Sequence, residues 1–261
     1  MPDEEFLLGI PEFDGTGARA FITTRHGGHS AHPYDTLNLG LHVEDDETVV
    51  IQNRSIAAAT AGFELDDLVF MDQVHGTTVA EVGESDRGRG ARSLKDAVAG
   101  TDALVTRCSS LPLVVLVADC SPVVLVDPAN KVLGVAHAGW RGSVAGVITA
   151  TVDAMKAAGA DAGCLIAHVG PTIEANRYEV GSEVADEFTA SFASDAGQIV
   201  INSLPRPHID LVEANVVALR RAGIPSDQIS RSGFGTDDSR VFSDRHARPC
   251  GRFGIIAWLE Q

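Results

Sequence analysis

Three successive runs of aliphatic and β-branched residues lie between positions 111 and 138. They read LPLVVLVAD (111–119), PVVLVD (122–127) and KVLGVAHA (131–138), and each has the length and composition of a strand. The segment PAN, a turn signal, separates the second run from the third. This spacing predicts a β-hairpin of buried strands, so the chain must adopt a fold that contains a sheet.

Strand-like and helix-like segments alternate along the rest of the chain, without an internal repeat. The clearest helix runs from Glu47 to Ala61, after possible N-caps at Asp45 and Asp46, and Gly62 ends it. The other predicted elements are helices at 143–158, 180–192 and 208–222, strands at 19–25, 164–170 and 251–259, a strand pair at 68–74 and 77–82, and a mobile polar loop at 83–100. Because no linker interrupts this pattern, we predict one α/β domain over residues 1–261.

The charge balance argues against several classes of partner. The chain has 36 acidic and 20 basic residues and a net charge of −16. Such a field repels nucleic-acid backbones and anionic membranes, whereas local arginines can still bind a small anion, because salt screens distant charges. The N-terminal segment lacks the pattern of a signal peptide, and no run approaches the roughly 18 apolar residues that span a bilayer. We therefore predict a cytoplasmic protein that binds neither nucleic acid nor membranes.

The predicted hairpin brings a cysteine and a histidine together. If it folds about position 129, opposed residues have numbers that sum to about 258, and position 137 faces position 121. His137 then lies beside Cys120 at one end of a sheet. A shift of one or two residues in this register keeps the two side chains close. The sequence therefore predicts a cysteine–histidine pair at a strand end.

A cysteine beside a histidine has two chemical interpretations. The imidazole can take the thiol proton and make Cys120 a nucleophile. Alternatively, both side chains bind a metal ion, for which His75, in the turn QVHG, supplies a third ligand. Two imidazoles and one thiolate form a site with an open fourth position, as in catalytic zinc centres. The spacings of 45 and 17 residues match no local metal motif, so spacing alone leaves both interpretations open.

Eight sequence blocks, in one order over nearly the whole chain, resemble the YfiH family, also called laccase-domain or multicopper polyphenol oxidoreductase proteins. The blocks are TTRHGGHSAHPYDTLNLG, NRSIA, MDQVHGTTV, TDALVT, ADCSPVVLVDP, VAHAGWRG, GPTIEANRYEVG and VFSDR…GR. The resemblance implies a layered α-β-β-α sandwich with mixed sheets. It also implies that His75, Cys120 and His137, which match the family's ligands, bind one metal ion, usually zinc.

The activity that the resemblance implies is purine nucleoside chemistry. Members of the family carry out phosphorolysis of adenosine, inosine and methylthioadenosine, and they deaminate adenosine. Zinc suits the second reaction, because it lowers the pKa of a bound water to about 7. We therefore predict an enzyme that uses zinc and takes a nucleoside and phosphate as small-molecule partners.

Two other activities remain open. Copper-dependent oxidation of polyphenols fits the family's laccase name, and two histidines with one cysteine can hold copper. However, the nine histidines include no H-x-H pair of the kind that is common in multicopper clusters. The other alternative, proposed for relatives, is an amidase that edits cell-wall precursors, since a zinc-bound hydroxide can also cut an amide.

Phosphate binding calls for guanidinium groups, which are planar, permanently charged and able to bind two oxygens at once. Arg25 and Arg141 are the leading candidates, and Arg25 is also predicted to be catalytic, together with the three metal ligands. The remaining candidates for substrate contacts are Arg54 and Arg245 for phosphate, Asn38 for the ribose or the base, and Trp140 for stacking on a purine.

Two positions depart from the family's pattern near the end of the chain. Gly235, just before Thr236, stands where relatives often have a cysteine. Cys250 stands where a threonine is usual before GR. Neither position is a predicted metal ligand, but both could alter the wall of the pocket.

Overall fold

The computed structural model describes residues 6–203 and 205–261, which contain thirteen strands and six α-helices. The strands are β1 (Leu7–Gly9), β2 (Ala18–Thr23), β3 (Val69–Phe70), β4 (Val79–Glu81), β5 (Ala103–Thr106), β6 (Leu113–Val117), β7 (Ser121–Asp127), β8 (Val132–Ala138), β9 (Ile166–Val169), β10 (Val200–Ile201), β11 (His208–Ile209), β12 (Ile229–Arg231) and β13 (Phe253–Leu259). The helices are α1 (Glu47–Ala61), α2 (Trp140–Ala145), α3 (Val147–Ala157), α4 (Ser182–Phe192), α5 (Ala196–Ile199) and α6 (Leu211–Arg221).

These strands form two large mixed sheets and one small antiparallel sheet. The five-stranded sheet has the order β1-β2-β13-β6-β3, and the six-stranded sheet has the order β12-β9-β7-β8-β5-β4. The pairs β3–β6, β4–β5 and β9–β12 are parallel, and the remaining pairs are antiparallel. The small sheet pairs β10 with β11.

The two large sheets pack face to face. Successive side chains of a strand point to opposite faces, so each strand contributes to the core between the sheets and to the core beneath the helices. In β8, Leu133 and Val135 belong to the core between the sheets, and Ala136 belongs to the core beneath α3, α4 and α6. In β6, Val115 points between the sheets, and Val114 packs with α1. The predicted α-β-β-α sandwich is therefore confirmed. Each valine or leucine buried in these layers contributes roughly 1.5–3 kcal/mol relative to an exposed one.

Helix α1 has the ends that its sequence predicts. The Asp46 side chain accepts hydrogen bonds from the backbone N–H groups of Thr48 and Val49, which otherwise have no partner in the first turn. At the other end Gly62 has a φ of 88°, a conformation that glycine adopts without steric cost. Local capping chemistry was therefore sufficient to define both ends of this helix.

The predicted strand pair at 68–74 and 77–82 is wrong, because the two strands belong to different sheets. β3 pairs with β6 in the five-stranded sheet, and β4 pairs with β5 in the six-stranded sheet. The chain therefore crosses from one sheet to the other around His75. It crosses again between β6 and β7, at Asp119 and Cys120. These two crossovers bring His75 and Cys120 to the same edge of the sandwich.

Other predicted boundaries differ at a few positions. The helix predicted at 143–158 is two helices, since α2 begins at Trp140 and ends at Ala145, and Gly146, with a φ of 94°, separates it from α3. The segment predicted as a helix at 208–222 begins with β11 before α6. The polar loop 83–100 includes two short 3-10 helices. Among the described residues, no helix has the length and apolar character needed to cross a membrane.

Candidate metal and substrate site

His75, Cys120 and His137 lie together where the two crossovers meet the end of β8. Their ligand atoms are all within 4.8 Å of one another. Cys120 Sγ is 3.9 Å from His75 Nε2, and the two imidazole rings are 4.7 Å apart, edge to face. In tetrahedral zinc sites, nitrogen at about 2.0 Å and sulfur at about 2.3 Å from the metal are about 3.5 Å apart. The spacing and the donor types therefore fit one metal ion.

The backbone places each of the three side chains. His137 lies opposite Pro122 in the β7–β8 hairpin, one position from the predicted partner. Cys120 follows Asp119, whose φ of 88° turns the chain sharply between β6 and β7. His75 itself has a φ of 62°, a left-handed conformation that is uncommon for residues with a Cβ. Two of the three ligands therefore depend on unusual turns.

A fourth residue, Asp102, supports this group and was not predicted. Its Oδ1 accepts a hydrogen bond from His137 Nδ1 at 2.8 Å and from the His75 backbone N–H at 2.9 Å. Its Oδ2 accepts from the N–H groups of Gly76 at 2.6 Å and Val74 at 3.2 Å. Burial raises the pKa of Asp102, but the bonds from His137 and the backbone outweigh burial and lower the pKa overall. The only sequence signal was its position in the block TDALVT, before β5.

Cys120 and His137 also alter each other's protonation. Burial raises the pKa of the Cys120 thiol, but the positive charge of the neighbouring His137 outweighs burial and lowers this pKa to about 6. Burial lowers the pKa of His137, but the Cys120 thiolate and Asp102 outweigh it and raise this pKa to about 9. At neutral pH the sulfur therefore carries the charge that a metal ligand or a nucleophile requires.

A cavity of about 640 Å³ opens in front of this group. This volume is within the range of small-molecule sites, which is about 300–1,000 Å³. Aromatic side chains in the lining come from Trp140 and Tyr178. The charged side chains that line it are those of Arg54, Arg245, Arg248 and Arg252 and of Asp72, Asp119 and Asp244. The cavity therefore combines the candidate metal-binding group, two flat rings and charges of both signs.

Arg54 is a buried cation in the wall of this cavity, that is, among the residues that line it. The side chain is about 1% exposed, and its guanidinium donates hydrogen bonds to the carbonyl oxygens of Leu39, Gly90 and Ala91. It also lies over the Phe70 ring, 4.0 Å from the ring centre. Within residues 6–203 and 205–261 no carboxylate forms an ion pair with it, and burial lowers its pKa to about 9. An anion in the cavity would therefore meet a positive charge that no acidic side chain neutralises.

The other arginines that line the cavity, which are Arg245, Arg248 and Arg252, belong to the segment after Thr236. Hydrogen bonds to Asp119 hold this segment in place. The Asp119 carboxylate accepts hydrogen bonds from the hydroxyl groups of Thr236 and Ser243 and from the backbone N–H of Arg245. Asp119 therefore connects this wall to the neighbouring ligand, Cys120. Within the wall, Arg252 is 3.6 Å from an oxygen of Asp244.

The comparisons with known proteins cover almost the whole chain. The model of the family described as multi-copper polyphenol oxidoreductase laccase matches residues 19–260. The chain belongs to this family. The purine nucleoside phosphorylase YlmD of Geobacillus stearothermophilus is 36% identical over 257 residues, which are 96% of this chain and 92% of that protein. The purine nucleoside phosphorylase ORF3 of Streptomyces griseus is 39% identical over 246 residues, 94% of this chain and 96% of that protein.

Solved structures of family members have the same fold. The crystal structure of YlmD from Geobacillus stearothermophilus matches with a TM-score of 0.94 and 33% identity, over 100% of this chain and 98% of that chain. The hypothetical protein YfiH of Bacillus licheniformis matches with a TM-score of 0.94 and 34% identity, over the same shares. The resemblance to the YfiH family and the layered fold are therefore confirmed.

Among the residues predicted from the family's blocks, Arg25 and Asn38 lie outside the cavity lining, as does Arg141 beside Trp140. The Arg25 guanidinium donates to the backbone oxygen of Asp35 at 2.9 Å, pairs with its carboxylate at 3.2 Å, and lies over the Phe242 ring. Asn38 is fully buried and bonds Asp45 and the backbone N–H of Arg252. Both side chains hold the loops beside the site, and substrate contact by either one stays a prediction.

The other predicted residues lie at or near the cavity. Trp140 lines it, and the exposed Arg141 lies over the Trp140 ring at 4.3 Å. Arg245 lines it and is exposed, with its guanidinium bonded to the backbone oxygen of Glu179 at 3.0 Å. The sequence analysis missed Arg252, whose only signal was its position in the last block.

The two departures from the family's pattern lie outside the cavity lining. A Cβ at Gly235 would lie 1.7 Å from Oε1 of Glu174 and 2.7 Å from the Thr172 carbonyl oxygen, so glycine leaves room for the Glu174 side chain. Cys250 is buried in the core between the sheets, and burial raises its pKa to about 11. This thiol is therefore a neutral core side chain at neutral pH.

Proposed function

We propose that the protein is a zinc-dependent purine nucleoside phosphorylase that cleaves adenosine, inosine or methylthioadenosine with phosphate. The observation that carries this proposal is the joint placement of His75, Cys120 and His137 at a cavity whose lining includes four arginines. The names of the relatives, purine nucleoside phosphorylases of 36% and 39% identity, support it. Zinc bound there would supply a Lewis acid beside the substrate and an open coordination position.

The residues of the cavity have distinct parts in this reaction. A phosphate oxygen forms a bond to the anomeric carbon of the ribose, while the bond from that carbon to the purine breaks and the base leaves with its electrons. Arg54 and Arg252 bind and orient the phosphate, with Arg245 beside them, because guanidinium groups match its oxygens. Trp140 and Tyr178 offer flat apolar faces to the purine.

The buried charge of Arg54 is the strongest argument for an anionic substrate. Burying a cation without an acidic partner costs free energy, and this cost lowers the pKa of Arg54 to about 9. A phosphate in the cavity recovers part of that cost by Coulomb attraction at low local dielectric. The net charge of −16 does not oppose this, since it is spread over the surface and screened by salt.

The products formed from inosine test the proposed function. We expect the zinc-loaded protein to convert inosine and inorganic phosphate to hypoxanthine and ribose 1-phosphate in equal amounts. Almost no base should form without phosphate, because phosphate is the nucleophile. Chromatography of both products, with a parallel phosphate-free sample, measures this.

That experiment, repeated with adenosine, methylthioadenosine and a phenol as substrates, identifies other activities. A nucleoside hydrolase would release free ribose in either buffer. Adenosine deamination, the second candidate function, would give inosine and ammonia without phosphate; the open fourth ligand position favours it. A copper-loaded protein that oxidises phenols and leaves nucleosides intact would support the laccase alternative. Zinc-loaded protein that cleaves none of the three nucleosides would overturn the proposal and favour the amidase alternative.

The arginines of the wall give a second prediction. We expect Arg252→Ala and Arg245→Ala each to raise the apparent KM for phosphate roughly 10- to 150-fold, the equivalent of about 1.5–3 kcal/mol for a charge-assisted contact. Steady-state rates at fixed inosine and varied phosphate measure the effect. Arg92→Ala is the matched control, because Arg92 forms an exposed ion pair with Asp66 at 2.7 Å.

The same assay tests the positions of the other predicted arginines. Arg25→Ala should change the apparent KM for phosphate less than Arg252→Ala, since Arg25 is bound to Asp35 outside the cavity lining. Arg141→Ala measures whether the rim beside Trp140 contacts phosphate. Equal KM values for Arg252→Ala, Arg245→Ala and the Arg92→Ala control would contradict the proposed phosphate site.

A further inference from the structure

Asp102 is the least exposed charged residue beside the proposed metal centre. It lies immediately before β5, is 0% exposed, and is 35 residues from His137 in the chain. Its two carboxylate oxygens accept one side-chain and three backbone hydrogen bonds, all from residues of the two histidine segments. A buried carboxylate normally needs a cation or several donors, and here the donors belong to the site itself.

We infer that Asp102 is a positioning residue that pre-forms the metal centre by fixing His137 and His75 together. The inference rests on the metal site of the proposed function, but it does not depend on which substrate the site acts on. It assigns Asp102 no contact with the substrate or the reacting atoms.

The bond to His137 selects the nitrogen that faces the metal. Asp102 Oδ1 is 2.8 Å from His137 Nδ1, so Nδ1 carries a proton and donates it to the carboxylate. Metal binding would then release the other proton of the ring, from Nε2, and use the lone pair of that nitrogen. A carboxylate behind a ligating histidine fixes the ring orientation and makes its other nitrogen a stronger ligand.

The bonds to the turn fix the other histidine through its backbone. Three successive N–H groups, those of Val74, His75 and Gly76, point to the Asp102 carboxylate at 3.2, 2.9 and 2.6 Å. Such a run of N–H groups forms a concave anion-binding turn. Because the φ of His75 is 62°, this turn needs outside support, and the carboxylate supplies it. One side chain therefore holds two ligands from different segments.

A second aspartate provides a matched control at the opposite end of the same hairpin. Asp127 is also 0% exposed, and its carboxylate also accepts four hydrogen bonds. The donors are the backbone N–H groups of Ala129, Asn130 and Asp161 and the side-chain amide of Asn130. The two aspartates therefore match in burial and bonding, but Asp127 contacts no metal ligand.

The test compares zinc affinity in Asp102→Asn and Asp127→Asn. An amide keeps one acceptor oxygen and replaces the other with a donor NH₂ group, so either variant removes the acceptor of two of the four hydrogen bonds and lowers the stability of the fold. We expect Asp102→Asn to weaken zinc binding roughly 10- to 100-fold, as loss of such a supporting carboxylate typically does. Asp127→Asn should bind zinc like the wild type. Competition with a chromophoric chelator, at one pH and without nucleoside, measures both dissociation constants.

A measurement on the wild type complements the variants, in case Asp102→Asn fails to fold. In zinc-loaded protein with ¹⁵N-labelled histidine, NMR should identify His137 as bound through Nε2 with a proton on Nδ1. Binding through Nδ1, unchanged zinc affinity in Asp102→Asn, or equal loss of affinity in Asp127→Asn would overturn the inference. Weakened zinc binding in Asp102→Asn, with no cleavage of nucleosides by the wild type, would sustain the inference and contradict the proposed function.

Discussion

We expect Cys120→Ala to lower the rate of inosine phosphorolysis at least about 1,000-fold and to leave the chain folded. The variant removes the only thiolate of a three-ligand site, and metal assistance contributes several kcal/mol to such reactions, about 1.4 kcal/mol for each tenfold. The fold should persist, because Cys120 is only half-buried and lies just before β7 rather than within it. Product formation, zinc content and urea unfolding measure the three parts of this prediction.

Cys108→Ala is the matched control for this experiment. Cys108 is another half-buried cysteine, and it lies outside the metal-binding group. We expect this control to retain wild-type zinc content and rate. Full zinc with lost activity in Cys120→Ala would favour the interpretation of Cys120 as a nucleophile. Full zinc in both His75→Ala and His137→Ala would contradict the metal centre itself.

The second large effect concerns stability. We expect Arg54→Met to lower the free energy of unfolding by about 3 kcal/mol. The change leaves the carbonyl oxygens of Leu39, Gly90 and Ala91 without their donor, at about 1–3 kcal/mol for each unsatisfied buried group. Removal of a buried, unpaired charge offsets part of this loss, since burial already lowers the pKa of Arg54 to about 9. Urea titration followed by circular dichroism measures the difference.

Arg92→Met is the control for that measurement. It removes an exposed ion pair with Asp66, and such pairs contribute about 0–1 kcal/mol. We expect the midpoint of unfolding to shift little in this variant and strongly in Arg54→Met. Equal unfolding free energies for Arg54→Met and the wild type would show that the three carbonyl oxygens find other donors.

Local sequence patterns predicted the β7–β8 hairpin and the proximity of Cys120 and His137 that results from it. The observed partners in the β7–β8 hairpin have numbers that sum to 259, where the turn signal predicted about 258. With this difference of one residue, Cys120 is still beside His137. The prediction succeeded because the register of a hairpin depends on its turn and not on the rest of the sheet. Helix α1 was predicted to the residue for a similar reason: Asp46 and Gly62 define its ends locally.

The assignment of strands to sheets could not be predicted in the same way. β3 and β4 are short apolar runs on either side of QVHG, and adjacent runs of this kind usually pair with each other. In this protein they pair with strands from elsewhere, β6 and β5. Nothing in the two runs distinguishes these outcomes, because the apolar side chains of β3 and β4 would be buried in either arrangement.

The residues around the site illustrate the same limit. Asp102 acts through contacts 26 to 35 residues away in the chain, which no local pattern encodes. Arg25 and Arg252 both belong to motif blocks, but only the fold distinguishes an arginine that holds a loop from one that lines a cavity. The grouping of His75, Cys120 and His137 was predictable because the family's blocks specify these residues one by one.

The position of the ligands at the two crossovers has a consequence for how this scaffold can change over evolution. His75 and Cys120 lie in connections between sheets rather than within strands, and Cys120 packs only against the edge of the core between the sheets. Substitutions at these two positions would change the donor atoms of the proposed metal centre while the strand pairing of both sheets remains. The layers can diverge in turn, provided that the ends of β3, β6 and β8 stay together.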